Sequence, residues 1–183
     1  MKVTFRWLAI PLILLLIAVG GNNAGLAIYT NSSSVKKSSV ASQKTDLEVA
    51  VPETATIFRN DGRSSLTGSL SNFSNKDVTI SANGYSETVP LTQIELIEFN
   101  GDVWIKGQAL PARVRGITKT LEGLPVGSFK LDNSQKRAVI SLKTMTSRGL
   151  ERFLKDNANT PFGVKAIFIE RSDKLRIKIA EIE

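Results

Sequence analysis

Residues 56–73 read Thr-Ile-Phe-Arg-Asn-Asp-Gly-Arg-Ser-Ser-Leu-Thr-Gly-Ser-Leu-Ser-Asn-Phe. Thr56-Ile57-Phe58 is a short β-prone run. Asn60-Asp61-Gly62 follows it as a tight-turn signal, because glycine enters positive φ without steric cost. Ser65 to Phe73 resumes as a strand with Leu66, Leu70 and Phe73 as its apolar positions. Gly68 inside it marks a bend or a close backbone approach. The same grammar continues downstream. Ser74-Asn75-Lys76-Asp77 is a turn, Val78-Thr79-Ile80 a strand, and Asn83-Gly84 another turn. Tyr85 to Phe99 reads as a fourth strand burying Leu91, Ile94, Ile97 and Phe99, with Pro90 at an edge or a break. Gly101 then turns the chain into Val103-Trp104-Ile105. Short strands at spacings near ten residues argue for a barrel or a strongly bent sheet, which removes exposed edges.

Working outward, Leu110-Pro111 to Gly123 reads as a linker or an extra strand. Val126–Leu131 and Arg137–Lys143 are two strands joined by Asp132-Asn133-Ser134-Gln135. Ser147 is a good helix N-cap, and Leu150, Phe153 and Leu154 recur at helical spacing, with Arg148, Glu151, Arg152 and Lys155 on the wet side. Asn157 to Pro161 stops the helix. Val164–Glu170 and Lys174–Ile182 are two more strands around Arg171-Ser172-Asp173. The expected fold is therefore mainly β with an α+β part. A small bent five-stranded barrel over residues 48–117 is followed by a β-β-α-β-β unit over 118–183.

Residues 54–107 carry a family likeness. Phe58-Arg59-Asn60-Asp61-Gly62-Arg63, then Thr67-Gly68-Ser69-Leu70, Phe73 and Val78-Thr79-Ile80, resemble the first signature of Sm-like small barrels. Ile105-Lys106-Gly107 resembles the short second one. The resemblance implies a small-barrel fold and, if functional, RNA contacts through two loops, at Asn75 and Lys76 and at Lys106. No aromatic residue adjoins the loop asparagine, and base stacking is what holds single strands. The likeness is therefore read as one of fold.

The start of the chain points to export. Lys2 and Arg6 precede an unbroken apolar run, Trp7 to Val19, closed by Gly20-Gly21 and the small-x-small triplet Gly25-Leu26-Ala27. Charged start, short apolar run and small-residue exit predict a signal peptide over residues 1–27. The run is short of the ~20 residues that span a bilayer comfortably, and an uncleaved membrane anchor is the alternative. Residues 28–47, with Ser32-Ser33-Ser34 and Lys36-Lys37, are expected to form a disordered tether. The predicted location is periplasmic or extracellular. Asn31-Ser32-Ser33 and Asn72-Phe73-Ser74 match the glycosylation sequon, which matters only in a eukaryotic secretory pathway.

Composition narrows the chemistry. The 183 residues include neither cysteine nor histidine, and the net charge is +7, or +5 once Lys2 and Arg6 are removed with the signal. Thiol and Ser-His-Asp nucleophiles, thiolate metal sites and most zinc chemistry are excluded, whereas carboxylate catalysis and hard-cation binding are not. Asp61, Asp77, Glu95, Glu98, Glu151 and Asp156 are scattered. Glu95 and Glu98 stand three apart on a strand and so face opposite ways. No phosphate loop or nucleophile elbow is present, and no catalytic residue, metal or cofactor is expected.

The last strand alternates Lys174, Arg176 and Lys178 with Leu175, Ile177 and Ile179. Its basic face is a candidate anion-binding surface, with Lys165 and Arg171 as further cations; the competing reading is a solvated sheet face. Trp104 is expected in the barrel or in a seam between the two units, while an exposed Trp104 would be a ligand or carbohydrate platform. The expectation from sequence is a non-catalytic exported binding or assembly module contacting another envelope protein. The alternative is an anion-binding protein for nucleic acid or acidic polysaccharide.

Overall fold

A computed structural model describes residues 46–145, 148–171 and 173–183; the signal segment, the tether up to Thr45, the Ser147 cap and Ser172 lie outside them. In chain order the strands are β1 (Asp46–Ala50), β2 (Thr54–Arg59), β3 (Leu66–Phe73), β4 (Asp77–Ala82), β5 (Tyr85–Pro90), β6 (Ile94–Asn100), β7 (Asp102–Val103), β8 (Ala112–Pro125), β9 (Phe129–Asp132) and β10 (Arg137–Ser141), followed by helix α1 (Arg148–Asp156) and strands β11 (Phe162–Arg171) and β12 (Lys174–Ile182). The described residues are mainly β, as the alternation predicts. Asp46 and Leu47, the last two residues of the stretch read as a tether, already belong to β1.

The hydrogen-bonded path runs β5-β4-β3-β2-β6-β11-β1-β10-β9, with β12 on β11, β8 on β12 and β7 on β8. Strand β3 turns this path. Its first part pairs with β2, Gly68 opposite Ala55, and its second with β4, Ser69 opposite Ser81. A Cβ on Gly68 would lie 2.5 Å from the Ser81 carbonyl oxygen, so this crossing requires the bare backbone. Asn83 and Gly84, at φ 51° and 81°, form the two-residue loop of the β4–β5 hairpin. At its far end β9 returns to β3. The rings of Phe73 and Phe129 meet edge to face at 4.9 Å, and the Asn133 side-chain amide donates to the Ser71 carbonyl. The sheet is thus curled into a half-barrel.

The run expected as one strand from Tyr85 to Phe99 is two. Pro90 has no N–H to continue a ladder, and Leu91–Gln93 forms a 3-10 turn. Strand β5 therefore stays on β4, while β6 crosses to lie between β2 and β11. The stretch left open as linker or extra strand is β8, fourteen residues long. The boundary expected at 117/118 falls inside it.

Several ladders cross that boundary: β1 on β10, β1 on β11, β6 on β11, and β12 on the first half of β8. The main core accordingly mixes Ile57, Ile97 and Phe99 with Ile140, Ile167 and Ile177, all at most 1% exposed. Each such side chain contributes about 1.5–3 kcal/mol on burial. Helix α1 sets Leu150 into the same core, Phe153 and Leu154 pack against it, and Phe153 lies 5.3 Å from Phe162. A second cluster of Val103, Val114, Ala180 and Ile182 also forms. Ala180 and Ile182 continue the Lys178 side of β12, so the two clusters cover opposite faces of that strand.

Candidate functional site

The last strand alternates as expected through Ile179: Leu175, Ile177 and Ile179 are fully buried, and Lys174, Arg176 and Lys178 take the other face. Pairing places Arg176 opposite Phe168, and Lys178 between Ala166 and Thr120. The Arg176 guanidinium stacks 4.5 Å from the Phe168 ring, and its Nε lies 3.2 Å from Glu170 Oε1. That contact is an ion pair without hydrogen-bond alignment, since Nε has no hydrogen-bond partner. The central cation of the face is therefore already compensated. Lys174 and Lys178 form no ion pair among the described residues, but four residues of strand separate them by about 13 Å. Arg171 pairs opposite Lys174. Lys165 instead lines a 280 Å³ cavity with Arg113 and Arg115. Those two arginines are ion-paired to Asp102 at 3.1 Å and to Glu183 at 3.2 Å.

The loop residues do not meet at one surface. The Ser74 hydroxyl donates to Asp77 and accepts from the Lys76 and Asp77 N–H groups, which closes the Asn75–Lys76 turn. Asn75 lies against Gly127, and Val126 beside it donates to the Asp173 carbonyl. This is the Lys174 end of β12. Lys106 follows Trp104 and Ile105, which line a cavity with Ile182 at the other end. The nine-residue strand separates the two loops by about 26 Å.

The second aromatic feature is Trp104, which the sequence reading placed in the barrel or a seam. It is 47% exposed. Val103 before it ends β7 and is buried in the second cluster, while the indole that follows lies outward. Its ring N–H donates to Glu53 Oε1 at 3.1 Å, and the Lys136 ammonium donates to the same oxygen at 3.1 Å. These bonds hold the Glu53 carboxyl below the ordinary glutamate range, the Lys136 hydrogen bond being the larger cause and the indole N–H the next. Lys136 sits at φ 50°, a left-handed conformation that costs a side-chain-bearing residue about 1–2 kcal/mol. Its carbonyl accepts from Val51 N–H at 3.0 Å, so both ends of the residue are tied to the Val51–Glu53 segment.

Two concavities flank this ridge. One, of 210 Å³, has Trp104, Val49, Ile105, Phe162 and Ile182 as apolar lining and Glu48 and Arg137 as polar lining. The other, of 280 Å³, is lined by Glu53, Lys136, Ser69, Ser71 and Asn133 over Leu70 and Leu131. Arg137 pairs with Glu48 at 3.9 Å. Lys136 and Arg137 thus each stand beside a carboxylate. Sequence reasoning missed Glu53 and Lys136. They are 83 residues apart, and no spacing rule joins them before the β9–β10 hairpin folds over β1.

Among the described residues no group of three or more acidic side chains is placed to hold a metal ion, and no helix is long and apolar enough to cross a membrane. No protein-family model, no curated protein and no solved structure matches the chain.

Proposed function

We propose that this chain is an exported, non-catalytic binding or assembly module that contacts a protein of the cell envelope through the free edge of β8. The observation that carries the reading is that edge. Strand β12 occupies one side of β8 from Val114 to Pro125, whereas among the described residues the other side carries only β7, at Ala112 and Arg113. A long edge offers unpaired N–H and C=O groups that an extended partner segment can complete as an added strand. Register shifts fall between Val114 and Thr118 and between Leu121 and Leu124, so they bracket a regular stretch, Thr118–Leu121. Ile117, beside it, is 62% exposed and available as an apolar anchor. The Sm-like likeness of residues 54–107 enters this reading as a small-barrel plan for the curled sheet, not as RNA binding.

The test is a photocrosslinking amino acid placed at Ile117 in the native host. The expected result is a discrete adduct with one envelope protein, absent when the probe stands at the exposed Lys130 on β9. Equal, diffuse labelling from both positions overturns the edge as the contact.

A second reading has its own observation. Arg113, Arg115 and Lys165 line one cavity, and Lys165 forms no ion pair among the described residues, while Asp102 and Glu183 pair with the two arginines and Glu181 lies beside Gly116; this gathers cations more closely than the Lys174–Lys178 face does. Retention on heparin that falls steeply with salt, and weakens in Lys165→Gln, supports it; salt-independent or absent retention removes it.

A further inference from the structure

We propose that the Trp104 ridge is a carbohydrate-binding site whose indole face takes one pyranose ring of a neutral glycan. It follows β7 at the Ala112 end of β8, beyond the Thr118–Leu121 stretch, and does not depend on the reading above. A pyranose presents a face of C–H groups and a rim of hydroxyls. It therefore needs a flat apolar platform beside mixed donors and acceptors, held in place before the ligand arrives.

The ridge supplies each of these. The indole is half exposed, and its N–H is already bound to Glu53, so the ring is fixed in orientation and its remaining surface is π face and edge. Glu53 is itself fixed by Lys136. Beside the ring, Phe162 and Ile182 floor a 210 Å³ concavity whose rim carries Glu48 and Arg137. Across the ridge, Ser69, Ser71 and Asn133 donate within the protein, which leaves the hydroxyl oxygens and the Asn133 side-chain carbonyl as neutral acceptors.

Charge selects among flat ligands. A cationic ligand would meet Lys136 and Arg137. A nucleic acid would stack equally well, but it requires net positive charge for its phosphates, and here Lys136 is neutralised by Glu53 and Arg137 by Glu48. Neutral hydroxyls accept from the cations and donate to the carboxylates, and so use both halves of each pair.

The experiment uses the full chain carrying Trp7→Phe, which leaves Trp104 as the sole indole. Emission is titrated with neutral hexasaccharides of glucose, N-acetylglucosamine and mannose, and with hexathymidylate as the nucleic-acid probe. The expected result is a saturable blue shift with at least one hexasaccharide in the millimolar range or below, and none with hexathymidylate. Calorimetry on Trp104→Ala should then show affinity reduced about tenfold or more. Trp104→Phe, which keeps a platform, should lose less. Glu53→Gln, which loosens the ring but leaves it in place, should fall between the two. No response to any hexasaccharide, unchanged affinity in Trp104→Ala and Trp104→Phe alike, or a response to hexathymidylate alone would each overturn the proposal. Should Trp104→Ala fail to fold, the Phe and Gln variants still decide it.

Discussion

Gly163 and Val114 stand where β1, β11, β12 and β8 converge, and a double-mutant cycle between them tests that convergence. Gly163 is opposite Ala50 on β1 and Ala180 on β12. A Cβ at Gly163 would lie 2.3 Å from Val114 Cγ2 and 3.2 Å from Cγ1, against the 3.5–4.0 Å at which carbons rest. Gly163→Ala therefore forces a shift of more than about 1 Å in a packed cluster, which costs about 1–3 kcal/mol. Val114 is 6% exposed, and Val114→Ala deletes two buried carbons at about 0.8 kcal/mol each plus a cavity cost, roughly 2 kcal/mol. In the double variant the clashing methyls are gone and the new one fills part of the hole. Only Val114 Cβ, at 3.3 Å, stays tight. The double variant should be about as stable as Val114→Ala alone, a favourable coupling of about 1–3 kcal/mol. Urea unfolding followed by far-ultraviolet circular dichroism on all four proteins measures this. Additivity within about 0.5 kcal/mol, or a neutral Gly163→Ala, would refute the convergence of these strands.

Two further outcomes follow from the same structure. Gly68→Ala meets a backbone oxygen, Ser81 O at 2.5 Å, as well as Ile80 Cγ2 at 2.7 Å. It should cost about 2 kcal/mol or more in the same assay, and trimming the side chain with Ile80→Ala should not restore stability; a rescue would mean that the backbones are not in close approach. Glu53 has its folded pKa depressed, chiefly by the Lys136 hydrogen bond. Its contribution is thus complete above the unfolded glutamate value and is lost as pH falls through the folded one. Asp132 shifts the same way through the Ser134 hydroxyl. Stability should decline on acidification through and below roughly pH 4, and less steeply in Glu53→Gln. The Glu53 share is below about 1 kcal/mol, because its side chain is 43% exposed and screened by solvent. Superimposable pH profiles for Glu53→Gln and the parent would remove the Glu53 anchor.

Local pattern alone fixes much of the secondary structure. Alternation in Lys174–Ile182 predicts β12 to the residue, the Asn83-Gly84 pair predicts the β4–β5 hairpin, and the spacing of Leu150, Phe153 and Leu154 predicts the buried side of α1. These features are legible because turn chemistry and the periods of strand and helix act over a few neighbours. The break at Pro90 was visible as a residue without an N–H, but not its consequence, the transfer of β6 from β4 to β2 and β11. Partner choice is a property of strands far apart in sequence. It is set by which apolar faces can be buried together, and no single strand carries that information. The same holds for the ridge. Trp104 could be named as an aromatic with two outcomes, inside or exposed, but its exposure depends on Val103 turning into a cluster built from β8 and β12. Glu53 and Lys136 carry no signal at all, since what joins them is a shared hydrogen bond across 83 residues. Alternation, turns and the lack of thiol and imidazole chemistry are thus written in neighbouring residues and in composition. That the half-barrel and the later strands share one core, and that Glu53, Trp104 and Lys136 stand together, is a result of long-range packing. Burial and long-range hydrogen bonds form only when distant segments are brought into register.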